Sequence, residues 1–337
     1  MAHTSRSRRP SGAHRRALGA LVAAGTLLLA GCGGGGGGGG DQPPGADGTL
    51  SIATGGTGGV YYPYGGGIAN VLSQSVEGIT ATVQETNASV DNLLLVQNGA
   101  ADLALALGDT VADAVEGAGQ FEGNPVDVCT LGKLYNNFTQ PVTTGATGIR
   151  TIEDLRGKRV SVGSPGSGTE VIAVRILEAA GINPDTDIQR AQLGVGETVQ
   201  ALRDSTIDAG FWSGGLPTGA LVDLASTGDM VLIPTGEYAK PLSEQYGPYY
   251  LSEEIPADTY QGQTQPVPEV VVPNVLVVRS DMPEQLQQDI TRTIFENKQQ
   301  LTTVHPAAEA LDPATAGDVG FVPVCPGAQA YFEQAAG

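Results

Sequence analysis

The sequence predicts an α/β chain of two lobes, each an open, mostly parallel sheet flanked by helices, with a cleft between them. Two observations carry that expectation. Short apolar runs alternate with longer amphipathic ones from residue 48 to about 140, and the alternation restarts at Arg159 and continues to Ile233. Each such βαβ series builds one parallel sheet. After it, a long β-branched run at 267–278 and a long charged segment at 282–304 no longer alternate. The economical topology is a first lobe from 48–145 and 265–337, with a second lobe, 146–264, inserted into it. Two crossing strands, near 141–148 and 263–273, would then form a hinge.

The elements follow in order from local pattern. The run 49–54 (TLSIAT) reads as a strand, followed by a glycine loop and a helix over about 60–75. A second strand at 80–84, a helix at 89–98 opened by a polar cap, and a third strand at 102–107 complete the first series. The stretch 131–144 is apolar and irregular, a strand leaving this unit. The second series has strands at 159–163, 188–193, 209–212 and 230–233. Its helices fall at 168–180, ended by Gly181, at 197–204, and at 217–226 with Pro217 suited to a first turn. The segment 282–304 reads as one long helix.

Ahead of this body the chain carries an export signal. Arg6, Arg8, Arg9, Arg15 and Arg16 stand in the first 16 residues without an acid, and residues 17–30 are uncharged. That run suits a signal h-region and is too short to span a bilayer. It ends in Leu29-Ala30-Gly31-Cys32, which resembles the lipobox of bacterial lipoprotein signal peptides. The resemblance implies cleavage of residues 1–31, a thioether lipid on Cys32 and a membrane-anchored, extracytoplasmic body. Residues 32–47, glycine-rich and polar, then form a flexible leash. No other apolar run reaches spanning length.

Composition narrows the function classes. The chain has 17 basic and 36 acidic residues, and losing the five arginines of 1–31 leaves 12 against 36, a net −24. A body this acidic is a poor partner for nucleic acid, whose phosphates need clustered Lys or Arg. His3 and His14 lie in the leader, so a hydrolytic triad would have to use His305, and a multi-histidine metal site is excluded. No metal, cofactor or catalytic residue is therefore expected. Cys129 and Cys325 are either disulfide partners in an oxidising compartment or two separately buried thiols.

Three turns at strand ends are built for close approach to a ligand. The first, Thr54-Gly55-Gly56-Thr57-Gly58-Gly59-Val60-Tyr61, is a near miss for a dinucleotide fingerprint, because Tyr61 stands where the last glycine would be. The second, Gly163-Ser164-Pro165-Gly166-Ser167-Gly168-Thr169, has P-loop glycine spacing, but Thr169 replaces the phosphate-binding lysine and Glu170 follows. What remains is either a backbone nest with two hydroxyls suited to a carboxylate, or plain N-capping by Ser167 or Thr169. The third, Glu85-Thr86-Asn87-Ala88-Ser89, places hydroxyls at a helix cap. Trp212 ends a strand and either walls a pocket or packs in a core. Asp109 follows a strand and either accepts from a ligand amine or caps a helix, the cap being favoured.

The set SIATGGTGGVYYPYGGGIAN, ETNASVDNL, DLRGKRVSVGSPGSGTE, ILEAAGI, DAGFWSGGLPTGAL and PVCPGAQAYFEQ resembles the TAXI family. These are the extracytoplasmic solute receptors of TRAP (tripartite ATP-independent periplasmic) transporters. The likeness spans nearly all of 48–333. It implies a type II periplasmic-binding-protein fold that closes on a small carboxylate or amino acid, glutamate- or 2-oxoglutarate-like, and delivers it to TRAP membrane permease subunits. The receptor is expected to be a monomer. An ABC permease or a sensor kinase is the alternative partner. The ligand-binding positions implied are Thr57, Gly58 and Tyr61, Thr86 and Ser89, Ser167, Gly168 and Thr169, and Trp212 with Gly215. The family tail usually reads Pro-Leu-His-Pro-Gly-Ala, whereas here it is Pro323-Val324-Cys325-Pro326-Gly327-Ala328. That departure strengthens a Cys129–Cys325 bond and withholds any role of the family's histidine.

Overall fold

The computed structural model describes residues 44–336, apart from 46 and 228. The export signal, most of the leash and Cys32 lie outside the described residues.

The first lobe opens with β1 (Thr49–Ala53), α1 (Tyr61–Ser75), β2 (Thr80–Gln84), α2 (Ser89–Gln97), β3 (Leu103–Leu107) and α3 (Gly108–Glu116). β1 pairs in parallel with β2 and with β3. The LALAL sequence of β3 is buried on both faces. Leu103 and Leu105 join one core, while Ala104 and Ala106 face the tighter one opposite. β4 (Val128–Thr139) then runs towards the other lobe, and β5 (Val142–Thr144) continues within it. The single irregular strand expected at 131–144 is thus two, because Pro141 has no N–H to extend a ladder and Gln140 N–H turns aside to the Trp212 carbonyl.

The second lobe contains β6 (Arg159–Ser161), α4 (Gly168–Ala179), β7 (Gln189–Ala191), α5 (Val195–Arg203), β8 (Ala209–Gly210), β9 (Ser213–Gly214), α6 (Gly219–Ala225), β10 (Met230–Leu232), α7 (Ala239–Tyr246) and β11 (Leu251–Ile255). α6 begins two residues after Pro217, since Thr218 N–H is taken by the Tyr260 hydroxyl. The chain returns through β12 (Val267–Arg279) to α8 (Glu284–Glu296), α9 (Lys298–Val304) and α10 (Pro326–Ala335). One long helix was expected at 282–304. Asn297 divides it, its side-chain amide donating to the Thr293 carbonyl and competing with the regular ladder.

Among the described residues the strands form two sheets. One has the order β2-β1-β3-β12-β4-β9, with β11 added to the free edge of β12, and the other β10-β5-β8-β6-β7. Neither is mostly parallel. In the first, β12 runs antiparallel to both β3 and β4, and in the second β5 runs antiparallel to β8 and β10. The cause is the crossing itself. β4 leaves the first lobe and β12 comes back, so the returning strand opposes its neighbours. β9 and β11, both within 146–264, pair with the crossing strands and so belong to the first sheet. Val270 and Val272 of β12 pack in the core of the second lobe, while Leu276 and Val278 pack in that of the first. The same strand therefore anchors both bodies.

The C-terminal segment is fastened back onto β4. Thr130 N–H donates to the Pro323 carbonyl, Cys325 N–H to the Thr130 carbonyl, and a disulfide joins Cys129 to Cys325.

Candidate functional site

The turns that follow the parallel strands of both lobes converge on one cavity of about 540 Å³. This is the place open α/β sheets offer a ligand, outside the carboxyl ends of their strands. Gly55 to Tyr61 after β1, Glu85 to Ser89 after β2 and Leu107 at the end of β3 form the wall of the first lobe. Ser164 and Ser167 to Thr169 after β6 and Leu193 to Glu197 after β7 form that of the second, with Trp212, Ser213 and Gly214 at the junction. The lobes touch across it: Asp91 N–H donates to the Gly166 carbonyl at 3.2 Å and Ala220 N–H to the Gly58 carbonyl at 3.4 Å.

Nine of the ten positions implied by sequence line this cavity: Thr57, Gly58, Tyr61, Thr86, Ser89, Ser167, Gly168, Thr169 and Trp212. Gly215 does not. It faces a separate pocket with Tyr135 and Ala307, since β9 turns the chain away from the cleft after Gly214. The hydroxyls are oriented by backbone. Ser89 Oγ accepts from Leu107 N–H at 3.1 Å, Ser167 Oγ from Glu170 N–H at 3.1 Å and Thr169 Oγ1 from Ser213 N–H at 3.2 Å. Each thereby keeps its own O–H to donate. Ser167 is thus both the cap of α4 and part of the cleft wall. Thr86 differs, because its hydroxyl donates inward to the Thr54 carbonyl and to Asn92 Oδ1.

Three helices, α2, α4 and α5, present their N-termini to the cavity through Ser89, Gly168 and Val195. Their first-turn N–H groups lack intrahelical acceptors and carry the positive end of the dipole. The nest expected at 163–169 is partly filled by the chain itself, since Gly166 N–H donates to Glu170 Oε2. Glu170 is in turn paired with Arg190. Among the described residues no Lys, Arg or His lines the cavity, whereas Glu85, Asp91 and Glu197 stand on its rim. Trp212 is half-buried: its indole N–H donates to Thr218 Oγ1 at 2.9 Å. A Cβ on Gly59 would come within 2.7 Å of the indole ring, so that position must be glycine for the ring to lie there.

Sequence reasoning missed the turn Leu193-Gly194-Val195-Gly196-Glu197. Its signal was a glycine pair at a strand end, the same feature that marked the other turns. Asp109 is neither a cap nor a ligand contact. It is fully buried and accepts from the Tyr250 hydroxyl at 2.7 Å, with Arg175 at 3.7 Å. Burial raises its carboxyl above the usual range, opposed by Arg175 and by the Tyr250 and Thr110 hydrogen bonds. Arg175 also donates to Asp113 at 2.6 Å and lies over the Tyr246 ring. His305 is outside the cleft, its Nδ1 accepting from Ala307 N–H. Burial lowers the pKa of its imidazole. Among the described residues no group of three or more His, Cys, Asp or Glu is placed to hold a metal, and no helix is long and apolar enough to cross a membrane.

Comparison with known proteins adds a family. The model of the NMT1-like family matches residues 52–335. Among solved structures, the chain is similar to the periplasmic aliphatic sulphonate binding protein SsuA from Escherichia coli, at 14% identity over 85% of this chain and 82% of that one, TM-score 0.48. It is also similar to the alkanesulfonate-binding protein SsuA from Xanthomonas axonopodis pv. citri, at 16% identity over 85% and 83%, TM-score 0.49. A third is the GluR0 ligand-binding core from Nostoc punctiforme in complex with L-glutamate, at 14% identity over 76% and 97%, TM-score 0.46.

Proposed function

The chain belongs to the NMT1-like family, and on that premise we propose that it is an extracytoplasmic solute receptor of the TAXI type. In this reading the two lobes close on a small carboxylate or amino acid and present it to the membrane subunits of a TRAP transporter. The observation that carries the reading is the cleft's polarity. Ser89, Ser167 and Thr169 each hold a spare O–H beside a helix N-terminus, and no cation stands among the lining residues. A carboxylate would be met by oriented dipoles and hydroxyls, which bind an anion without the desolvation cost of a buried cation.

The same hydroxyls argue for a receptor over a catalyst. Each accepts from a backbone N–H, and none has a base beside it to take its proton. His305 is spent on a turn of the 3₁₀ segment Pro306–Ala310. A lipid on Cys32 would tether the body to the membrane, and the glycine leash would set the effective concentration of loaded receptor at its permease.

The test is a thermal-shift screen of the full chain against small carboxylates and amino acids, followed by calorimetry on any that bind. Ser167→Ala combined with Thr169→Ala is expected to remove most of the affinity for a carboxylate hit. Two charge-assisted hydrogen bonds are lost, each worth roughly 1.5–3 kcal/mol. Undiminished binding by the double variant would sink the assignment of the α4 terminus as the anion site.

A further inference from the structure

Helix α2 begins at the cleft without a cap of its own. Its cap position is Ala88, held at φ +77° with no side-chain oxygen to offer. The Ser89 hydroxyl is turned to Leu107 N–H, and the Asp91 carboxylate reaches back to accept from Asn87 N–H. Asp91 N–H lies in the first turn and has no acceptor within the helix. Its acceptor comes from the other lobe: the Gly166 carbonyl, at 3.2 Å.

That carbonyl is aimed from behind by Glu170, which does not itself line the cavity. Its Oε2 accepts from Gly166 N–H at 2.8 Å. Its Oε1 is fixed by Arg190 of β7 and by Gln192 just beyond it. Glu170 N–H donates to Ser167 Oγ, and Ser167 N–H to the Ser164 carbonyl. One residue therefore holds the whole turn from 164 to 167. The capping of α4 does not require this arrangement. A glutamate at the third helical position ordinarily reaches back to the N–H of the cap residue, here Ser167. Glu170 passes over it and takes the N–H one residue earlier, on the glycine whose carbonyl crosses the cleft.

We propose that Glu170 is a positioning residue for the solute site, an inference that rests on reading the cleft as such a site. It sets the 164–167 turn so that, as the lobes close, the Gly166 carbonyl completes the first turn of α2. The same setting leaves the Ser167 hydroxyl and the α4 terminus facing the solute. The sign of its effect separates positioning from plain charge. Glu170 is a negative group in the first turn of α4, beside the proposed acid site. Were charge its only influence, removing it would tighten the binding of a carboxylate. As a positioning residue, its removal weakens that binding.

The test is isothermal calorimetry of the full chain with L-glutamate, L-glutamine and pyruvate. Each probe that binds the wild type is expected to bind Glu170→Ala about tenfold more weakly. Amide exchange followed by NMR on the probe-saturated chain gives a second readout. The Asp91 amide, on the opposite lobe, is expected to exchange about tenfold faster in the variant, while the later turns of α2 keep their rates. Loosening of α4 alone would speed exchange within 164–179 and leave Asp91 as it was. Gly166→Ala reaches the same carbonyl by another route. Its φ of +71° disfavours any residue with a Cβ, and nothing stands within 4 Å of the added atom. It is expected to weaken binding and release the Asp91 amide in the same way, and it decides alone should Glu170→Ala not fold. Binding by Glu170→Ala as tight as the wild type's or tighter overturns the proposal, as does an Asp91 amide that stays protected; either result leaves the solute site standing. If none of the three probes binds the wild-type chain, the reading of the cleft falls and the proposal with it.

Discussion

Replacing Arg175 with methionine isolates the buried ionic network that joins α3 to α4 across the two lobes. Arg175, Asp109 and Asp113 are 8%, 0% and 8% exposed. The guanidinium lies 2.6 Å from Asp113 and 3.7 Å from Asp109, and 2.8 Å from the Tyr250 hydroxyl, which itself donates to Asp109. Methionine keeps the stem's packing and removes the charge, leaving two carboxylates buried without a counter-ion. Breaking a buried pair from one side costs about 3–5 kcal/mol. A carboxyl can escape part of that by taking a proton. From its ordinary value of 3.8, protonation costs about 4.4 kcal/mol at pH 7 and about 1.6 kcal/mol at pH 5. The penalty per acid is therefore capped, and the cap falls with pH. In the variant the folded state holds a proton that the unfolded state lacks above pH 3.8, so its stability drops as pH rises. Denaturant unfolding should give a loss of about 3–5 kcal/mol at pH 7 that shrinks below about 2 kcal/mol per acid at pH 5. Adding Asp109→Asn should recover part of it. A loss that is the same at both pH values would refute the electrostatic account. Arg175 is not in the cavity lining, so ligand contact is not what this variant tests.

Gly168→Ala probes closure. The new Cβ would lie 2.6 Å from Leu107 Cδ1 and 2.7 Å from Ser89 Oγ, both on the opposite lobe. Calorimetry should show about tenfold weaker solute binding or worse, with the free protein's melting temperature unchanged or higher. Tight binding would mean the lobes need not approach this closely. Glu269 is fully buried, with Oε1 unpartnered, and burial raises its carboxyl well above the ordinary 4.5. The folded state thus binds more protons than the unfolded above pH 4.5, and stability declines as pH rises from there. Glu269→Gln should raise the melting temperature at pH 7 and lose that gain below pH 4.5; a pH-independent effect would contradict this sign. Cys129→Ala with Cys325→Ala opens a link across 196 residues. It should cost roughly 2–5 kcal/mol in chemical unfolding, and an unchanged midpoint would mean that the Thr130 hydrogen bonds alone seat α10.

How much of this was readable from sequence depends on whether the signal is local. β3 was legible because LALAL is apolar at every position, and α4 because Ser167 caps it and Gly181 follows it. The strand-end glycines located most of the cleft wall, since a turn that a ligand or an indole must approach closely excludes Cβ. β11, with the polar sequence LSEEI, gave no such signal; it is a strand because β12 offers an edge to pair with. The mixed sheets were hidden for the same reason, as strand direction at a crossing is a property of the whole path. Asp109 looked like a cap because it stands just past a strand, and only the arrival of Arg175 and Tyr250, 66 and 141 residues on, makes it part of an ionic core.

The buried amides of the crossing strands were illegible for a further reason. Asn137 and Asn274 sit inside apolar strands, where sequence reading finds only an interruption of the pattern. Only the assembled fold brings these amides beside the Tyr61 and Tyr135 phenols, behind the residues that line the cavity. The cavity lining itself carries two zones of different chemistry. Glu85, Asp91 and Glu197 at the rim disfavour an excess of negative charge and suit an ammonium. In the proposed reading, the helix termini and hydroxyls favour a single carboxylate. In that reading a dianion such as 2-oxoglutarate would place its second charge against the rim acids. In the proposed reading, the rim acids therefore favour a solute that carries an ammonium over a dianion. That preference arises without one charged side chain in direct opposition to the ligand's carboxylate.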